Sequence, residues 1–211
     1  QMVRDHDLYL FADEVYREFC YDGPQPKSVL QLPGLEQHVV LVDSVSKRYS
    51  MCGARIGAMV TKNAAVRKAA MKFAMARLSP PTLAQIASEA ALHTSDSYFE
   101  EVRNRYVARR DALVEGLRNI PGVTVPTPGG AFYAVCELPI DNADAFCQWM
   151  LEHFDLDGDT VMMAPATGFY ATPGAGTRQV RIAYVLDLPL IERAVECLRA
   201  ALRAYPGRRD V

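Results

Sequence analysis

The sequence has no cysteine framework, no long apolar run and no strong charge of either sign. Its five cysteines, at positions 20, 52, 136, 147 and 197, are odd in number and include no Cys-x-x-Cys pair. That pattern favours reduced thiols in a cytoplasmic protein over a disulfide framework or a zinc site, so we expect no metal centre. No apolar stretch reaches the roughly 18 residues that a membrane-spanning helix needs.

Two further absences limit the possible partners. The formal net charge is −2, which gives no electrostatic reason to expect binding to nucleic acid or to an anionic membrane surface. No secretory signal is visible, and the sequence opens on Gln1 and Met2 in the middle of a pattern. We therefore expect the natural start to lie upstream.

What the sequence does contain is the pattern of an α/β protein. Half of its 211 residues are hydrophobic, enough for one large domain or parts of two. The runs 8–12 and 39–42 are short and continuously apolar, which predicts strands buried on both faces in a mostly parallel sheet. Polar residues follow each run, Asp13-Glu14 and Asp43-Ser44, and ligands gather at the carboxyl ends of such strands.

The remaining pattern predicts two domains. A third strand is predicted at 55–60 and helices at 64–76 and 83–93, and Ser97 and Glu100 suggest a capping box for a long helix that ends near residue 119. Short strands (123–125, 131–137 and 180–185) then alternate with helices (143–154 and 190–205). We predict that residues 1–95 are part of a large domain and residues 96–211 a smaller α/β domain.

The most informative segment surrounds Lys47. Ser44 and Ser46 precede this lysine, and Arg55 follows eight residues after it. Asp13-Glu14-Val15-Tyr16 lies upstream at the end of the first predicted strand. Taken alone, Lys47 would be read as a surface lysine and Asp13 as a turn residue. Together, in this order and spacing, they resemble the C-terminal half of a class I/II aminotransferase, an aspartate aminotransferase-like pyridoxal-phosphate (PLP) enzyme of fold type I.

The resemblance implies a catalytic role for one residue and ring-binding roles for two others. Lys47 would bind PLP covalently and act as general base and acid. Asp13 would hold a proton on the pyridine nitrogen, which preserves the ring's capacity as an electron sink. Tyr16 would donate a hydrogen bond to the cofactor's 3-oxygen. The large domain would therefore be the PLP-binding one.

The resemblance also implies a phosphate cradle and a substrate site. Ser44, Ser46 and Arg55 would bind the phosphate, since hydroxyl groups and a guanidinium match its oxygens. Arg181 would bind the substrate's α-carboxylate. Arg178 is a nearby alternative, but Arg181 alternates with apolar neighbours in a strand-like run, so its side chain is expected to point away from theirs.

The function implied is the transfer of an amino group between an amino acid, aspartate or a broad range, and a 2-oxo acid, in a homodimer. Two alternatives remain open at this point. A carbon–sulfur lyase or decarboxylase of the same fold would use the same cofactor-binding residues. A regulator with an aminotransferase-like ligand-binding domain would carry a DNA-binding module elsewhere. The cofactor-stacking aromatic and the Asn-Pro-x-x-Pro-x-Gly segment of such enzymes are absent, so we expect this chain to be a fragment.

Overall fold

Two three-stranded sheets organise the chain, one in each of two compact units. The computed structural model describes residues 1–24 and 26–209. The units are Gln1–Arg103 and Asn104–Val211, and the division falls inside a long helix. The assignment of residues 1–95 and 96–211 to a PLP-binding and a small domain stays a prediction, because compactness alone assigns no role to either unit.

The sheet of the first unit contains β1 (Leu10–Asp13), β2 (Val39–Ser44) and β3 (Gly57–Val60), in that order. β1 is parallel to β2, as the apolar runs predicted, and β3 is antiparallel to β2. Only β2 has a fully buried run, Val39–Leu41. The central strand has neighbours on both edges, whereas β1 and β3 lie at the edges and are largely exposed. The predicted burial of both faces is therefore wrong for β1, in which Phe11 is 66% exposed.

Four helices belong wholly to this unit: α1 (Met2–Asp5), α2 (Val45–Arg48), α3 (Ala64–Arg77) and α4 (Thr82–Ala91). Asn63 caps α3, because its side-chain oxygen accepts hydrogen bonds from the amides of Ala65 and Val66, both at 3.0 Å. Neither α3 nor α4 contains a buried residue. Phe73 is 78% exposed and Leu83 82% exposed, so both helices present apolar side chains that this unit does not cover.

The long helix α5 spans Asp96–Arg118. The predicted capping box at Ser97 is wrong. The helix begins at Asp96, so Ser97 is its second residue and not the residue before its start. The Ser97 hydroxyl is 2.8 Å from that of Ser95 instead. Towards its C-terminal end, α5 buries Arg110, Leu113, Val114 and Leu117.

The second unit has an antiparallel sheet with the order β4 (Tyr133–Glu137), β6 (Gln179–Ala183) and β5 (Ala164–Pro165). Residues 123–125 form only an isolated bridge between Thr124 and Glu137, not the predicted strand. Helices α6 (Ala143–Glu152) and α7 (Leu188–Ala204) complete the unit.

The core of the second unit includes one face of α7 and a cluster of aromatic rings around Trp149. α7 buries Ile191, Val195, Leu198 and Leu202, which recur at helical spacing on one face. The sole tryptophan of the chain, Trp149, lies within ring contact of Phe146, Phe154 and Tyr205, at centroid distances of 6.2, 5.5 and 5.3 Å. Each fully buried aromatic or aliphatic side chain stabilises the fold by about 1.5–3 kcal/mol.

Candidate functional site

The junction between β2 and α2 fixes two hydroxyl groups side by side. Ser44 is the last residue of β2 and the N-cap of α2, and its Oγ accepts a hydrogen bond from the Ser46 amide at 3.0 Å. The same Oγ lies 2.8 Å from the Ser46 hydroxyl and 3.1 Å from the carbonyl oxygen of Ile56. Both hydroxyl groups are thus held at the carboxyl end of the central strand.

Arg55 is positioned by an unusual backbone conformation. Its φ of 57° and ψ of 40° lie in the left-handed region, which costs a non-glycine residue on the order of 1 kcal/mol. The residue ends a 3-10 turn at Cys52–Ala54, and its guanidinium donates to the carbonyl oxygen of Cys52 at 3.1 Å. This turn reverses the chain so that Gly57 pairs with Ser44 across the sheet.

These three predicted phosphate ligands line one cavity of about 370 Å³. The wall includes Ser44, Ser46 and Arg55, and also Arg77 at the end of α3. The other lining residues are Val42, Asp43, Ile56, Gly57, Ala58 and Met59. The cavity lining therefore contains two serines and two arginines, residues whose hydroxyl and guanidinium groups are donors suited to an anion.

Among the described residues that line the cavity, Asp43 is the one with a carboxylate, and this carboxylate already accepts hydrogen bonds from two other groups. It accepts hydrogen bonds from the Ser44 amide and from the Arg48 guanidinium, both at 2.7 Å. Glu18 lies 2.8 Å from the same guanidinium. Burial lowers the pKa of Arg48, but Glu18 and Asp43 outweigh that effect and hold this pKa above its ordinary value. Arg48 and Asp43 thus balance each other beside the cavity.

Asp13 and Tyr16 lie one strand away from the cavity. Asp13 ends β1 and pairs in register with Val42, a lining residue, so the two share a face of the sheet at the spacing of adjacent strands, about 4.8 Å. The Asp13 carboxylate is exposed and accepts a hydrogen bond from the Val15 amide at 3.1 Å. Tyr16 follows in a turn, half-buried, with its ring edge-to-face to that of Phe19 at 6.3 Å.

Lys47 lies in α2, next to Ser46, and is half-buried. It is not among the residues that line the cavity. The predicted residues of the first unit therefore divide into two sets. Ser44, Ser46 and Arg55 share one cavity, whereas Asp13, Tyr16 and Lys47 do not line it. The sequence motif predicted the first set by resemblance, and the cavity is a geometric observation independent of that motif.

Arg181 belongs to the second unit, in β6. It alternates with buried Val180 and Ile182 as predicted. Its guanidinium carbon lies 4.5 Å from the centre of the Tyr133 ring and 4.9 Å from that of Phe169. Arg178, the alternative, instead forms a hydrogen-bonded ion pair with Glu137.

Sequence reasoning missed three contributors. Arg77 stands at the end of a helix with no motif around it, and only the fold brings it to the cavity. Tyr133 lies in the predicted strand 131–137, a pattern that indicates no partner for Arg181. Phe169 lies in a Gly/Pro/Thr-rich loop, where no periodic pattern marks a contact residue.

Residues 1–24 and 26–209 contain neither a metal-binding group of side chains nor a membrane-spanning helix. Nowhere in these ranges do three or more His, Cys, Asp or Glu side chains form a group that could hold a metal ion. In the same ranges, no helix combines the length and apolar character needed to cross a membrane.

Comparison with known proteins gives the family. The profile of the aminotransferases of class I and II matches residues 1–198, and the chain belongs to this family. Aspartate aminotransferase from Bacillus subtilis (strain 168) is 28% identical over 94% of this chain and 50% of its own length. Aspartate aminotransferase from Pyrococcus horikoshii is 26% identical over 99% of this chain and 51% of its own length.

Solved structures agree with this assignment. The aromatic aminotransferase from Pyrococcus horikoshii superimposes with a TM-score of 0.82 at 27% identity, over 96% of this chain and 53% of that one. LysN, the α-aminoadipate aminotransferase of Thermus thermophilus, superimposes with a TM-score of 0.82 at 26% identity, over 97% of this chain and 52% of that one. It was solved with N-(5'-phosphopyridoxyl)-L-leucine. The chain spans about half the length of the curated relatives it matches.

The family uses PLP, and the residues present here fit that group. A phosphate monoester needs several hydrogen-bond donors and positive charge, and the cavity wall offers two hydroxyl groups and two guanidinium groups. Its only carboxylate is bound by Arg48. The donor set of this chain is therefore compatible with the phosphate end of the cofactor.

Proposed function

We propose that this chain forms the lysine-bearing part of a PLP-dependent aminotransferase. The observation that carries the proposal is the cavity in which Ser44, Ser46 and Arg55 meet at the carboxyl end of β2. Arg55 binds the phosphate through a planar fork that matches two oxygens. The Ser44 hydroxyl, fixed by the Ser46 amide, and the Ser46 hydroxyl complete its hydrogen bonds.

The three predicted residues that do not line the cavity act on the rest of the cofactor. PLP, when bound, supplies an electron sink for the bond that is broken at the substrate's Cα. Asp13 keeps a proton on the pyridine nitrogen by a charge-assisted hydrogen bond. Tyr16 hydrogen-bonds the 3-oxygen. Lys47 holds the cofactor between turnovers and moves the proton from Cα to the cofactor's C4′ atom.

Arg181 orients the amino-acid substrate. Its guanidinium binds the α-carboxylate in a bidentate pair, which fixes the direction of the Cα–H bond. The contacts of Arg181 support this role, because aromatic rings rather than carboxylates border its guanidinium. Arg178 is committed to Glu137.

The proposed reaction transfers an amino group between an amino acid, aspartate or one of a broad range, and a 2-oxo acid. The names of the relatives support transfer over the lyase, decarboxylase and regulator alternatives, since the matches described above are aspartate, aromatic or α-aminoadipate aminotransferases. None of the residues described above distinguishes among these substrates by its side-chain chemistry. We base the choice of aspartate on the relatives alone.

The proposed setting is a homodimer with two-fold symmetry in the cytoplasm. The exposed apolar side chains of α3 and α4 support an assembly that covers them. The five cysteines are all free, and three of them are buried. This state fits a reducing compartment.

The direct test is the attachment point of the cofactor. Full-length protein loaded with PLP and reduced with borohydride should keep the cofactor bound, and peptide mass mapping should place it on Lys47. Lys47→Ala should bind PLP without this covalent attachment. A reduced cofactor on Lys62 or Lys68 would show that the lysine was assigned wrongly.

A further inference from the structure

Arg77 is a second guanidinium in the candidate phosphate cavity. It lies in the last turn of α3 and lines the same wall as Ser44, Ser46 and Arg55. Within the described part of the chain, its side chain forms no hydrogen bond or ion pair. The Arg55 guanidinium likewise has no acidic partner there, and its hydrogen bond goes to a carbonyl oxygen.

Two arginines outside the cavity lining, Arg48 and Arg17, have acidic partners. Arg48, close by in α2, is bound by both Asp43 and Glu18. Arg17 likewise contacts Glu14 at 3.2 Å. Glu14, Glu18 and Asp43 thus pair with arginines that do not line the cavity. Within the described residues, the two arginines in its wall have no acidic partner.

We propose that Arg77 binds the cofactor's phosphate together with Arg55, an inference that rests on the proposed function. A phosphate monoester has a second pKa near 6 and carries close to two negative charges at neutral pH. Arg55 balances one of these charges. Arg77 balances the second, so the cavity prefers the dianion to the monoanion.

The position of Arg77 at the end of α3 also has a purely structural explanation. The test must therefore distinguish that structural role from phosphate binding. A cation in the last turn interacts favourably with the helix dipole, and a residue with only that role would affect helix stability but not ligand choice. Arg67, on the same helix, is exposed and does not line the cavity. It is therefore the matched control.

The experiment measures the dissociation constants of PLP and of pyridoxal, which lacks the phosphate, for full-length protein and two variants. Arg77→Gln should weaken PLP binding about tenfold, the equivalent of one charge-assisted hydrogen bond, and leave pyridoxal binding unchanged. Arg67→Gln should change neither. Equal effects of Arg77→Gln on PLP and pyridoxal, or no effect on either, would overturn the proposal.

The pH dependence provides a second measurement. For the unmodified protein, PLP affinity should rise between about pH 5 and 7 as the phosphate becomes a dianion. The rise should be smaller in Arg77→Gln and restored in Arg77→Lys, which keeps a charge. An identical rise in all three proteins would contradict a role for Arg77 towards the second charge.

The outcomes for the two proposals differ. If the unmodified full-length protein binds neither PLP nor pyridoxal, the proposed function itself fails. If it binds PLP in preference to pyridoxal, and Arg77→Gln keeps that preference in full, only the role of Arg77 fails. Far-ultraviolet circular dichroism of each variant shows whether α3 remains folded.

Discussion

The guanidinium of Arg181 packs on the ring of Tyr133, at 4.5 Å from carbon to ring centre. The two residues are diagonal neighbours on adjacent strands, because Tyr133 pairs with Ala183, two residues after Arg181. Phe169 approaches the same guanidinium at 4.9 Å. Aromatic rings attract a cation through their faces and leave the N–H edge available for hydrogen bonding. The pair therefore positions Arg181 without consuming its donors.

Loss of one ring should weaken substrate binding modestly. Phe169→Leu removes a cation–π contact worth about 0.5–1 kcal/mol, so the KM for amino-acid substrates should rise about two- to fivefold while kcat changes little. Steady-state kinetics over a substrate series measures both. A fall in kcat at constant KM would place Phe169 in the chemical step rather than in binding.

The two neighbouring arginines should behave differently. Arg181→Gln removes a charged bidentate contact, and kcat/KM should fall about a hundredfold. Arg178→Gln breaks only an ion pair with Glu137 at a partly exposed site, and kcat/KM should stay within about twofold. A larger fall in kcat/KM for Arg178→Gln than for Arg181→Gln would show that Arg178 binds the substrate carboxylate.

Asp13→Asn separates a structural role from a chemical one. Asparagine keeps a side-chain oxygen for the Val15 amide, so the turn after β1 should persist. The negative charge that the proposed function places beside the ring nitrogen is lost, and kcat should fall on the order of a hundredfold or more, as for removal of one preorganised electrostatic group. Cofactor affinity should change much less. Near-normal turnover in this variant would show that Asp13 does not serve the ring.

Much of the fold could be predicted from pattern alone. The apolar runs marked β1 and β2, because strands of a parallel sheet are typically apolar on both faces. The alternation around Arg181 marked β6, because successive side chains of a strand point to opposite faces. The antiparallel direction of β3 depends on the turn at Arg55. The left-handed conformation of this residue could not be predicted from its type. The two-residue strand β5 is too short for any periodicity.

The site shows the same division. Ser44, Ser46 and Arg55 are close in the sequence, so a motif can encode their shared cavity. Arg77 reaches that cavity from the far end of a 14-residue helix, and Phe169 reaches Arg181 from a loop. Such contacts between distant segments depend on the packing of whole elements, which a single sequence does not reveal.

High pH should destabilise the second unit. Burial, followed by a hydrogen bond to Asp141, raises the pKa of Tyr205 to about 12, above the ordinary value of about 10. A raised pKa in the folded state means that stability is fully present below about pH 10 and is lost as pH rises towards 12. Burial also raises the pKa of Cys147 to about 11, so loss begins slightly earlier.

Tyr205→Phe tests whether Tyr205 causes the loss of stability at high pH. The variant should be less stable by about 1 kcal/mol at pH 7, since a hydrogen bond is lost, but its stability should fall less between pH 10 and 12. Urea unfolding at each pH measures both quantities. A slope identical to that of the unmodified chain would mean that another group controls alkaline unfolding.

The 211-residue chain, studied alone, should associate with itself and bind PLP weakly. Phe73 and Leu83 are among the apolar side chains that α3 and α4 leave exposed, and β1 is an uncovered edge strand that invites pairing. Size-exclusion chromatography with light scattering, together with a PLP titration, checks this. A monodisperse monomer with micromolar PLP affinity would contradict it.

The position of the only tryptophan determines what intrinsic fluorescence can report. Trp149 packs among rings of the second unit, whereas the candidate phosphate cavity lies entirely in the first. An emission-monitored denaturation curve therefore follows one unit alone, and circular dichroism follows the helices of both. Separate midpoints from the two signals would reveal that the first unit unfolds independently, in a transition that tryptophan fluorescence does not report.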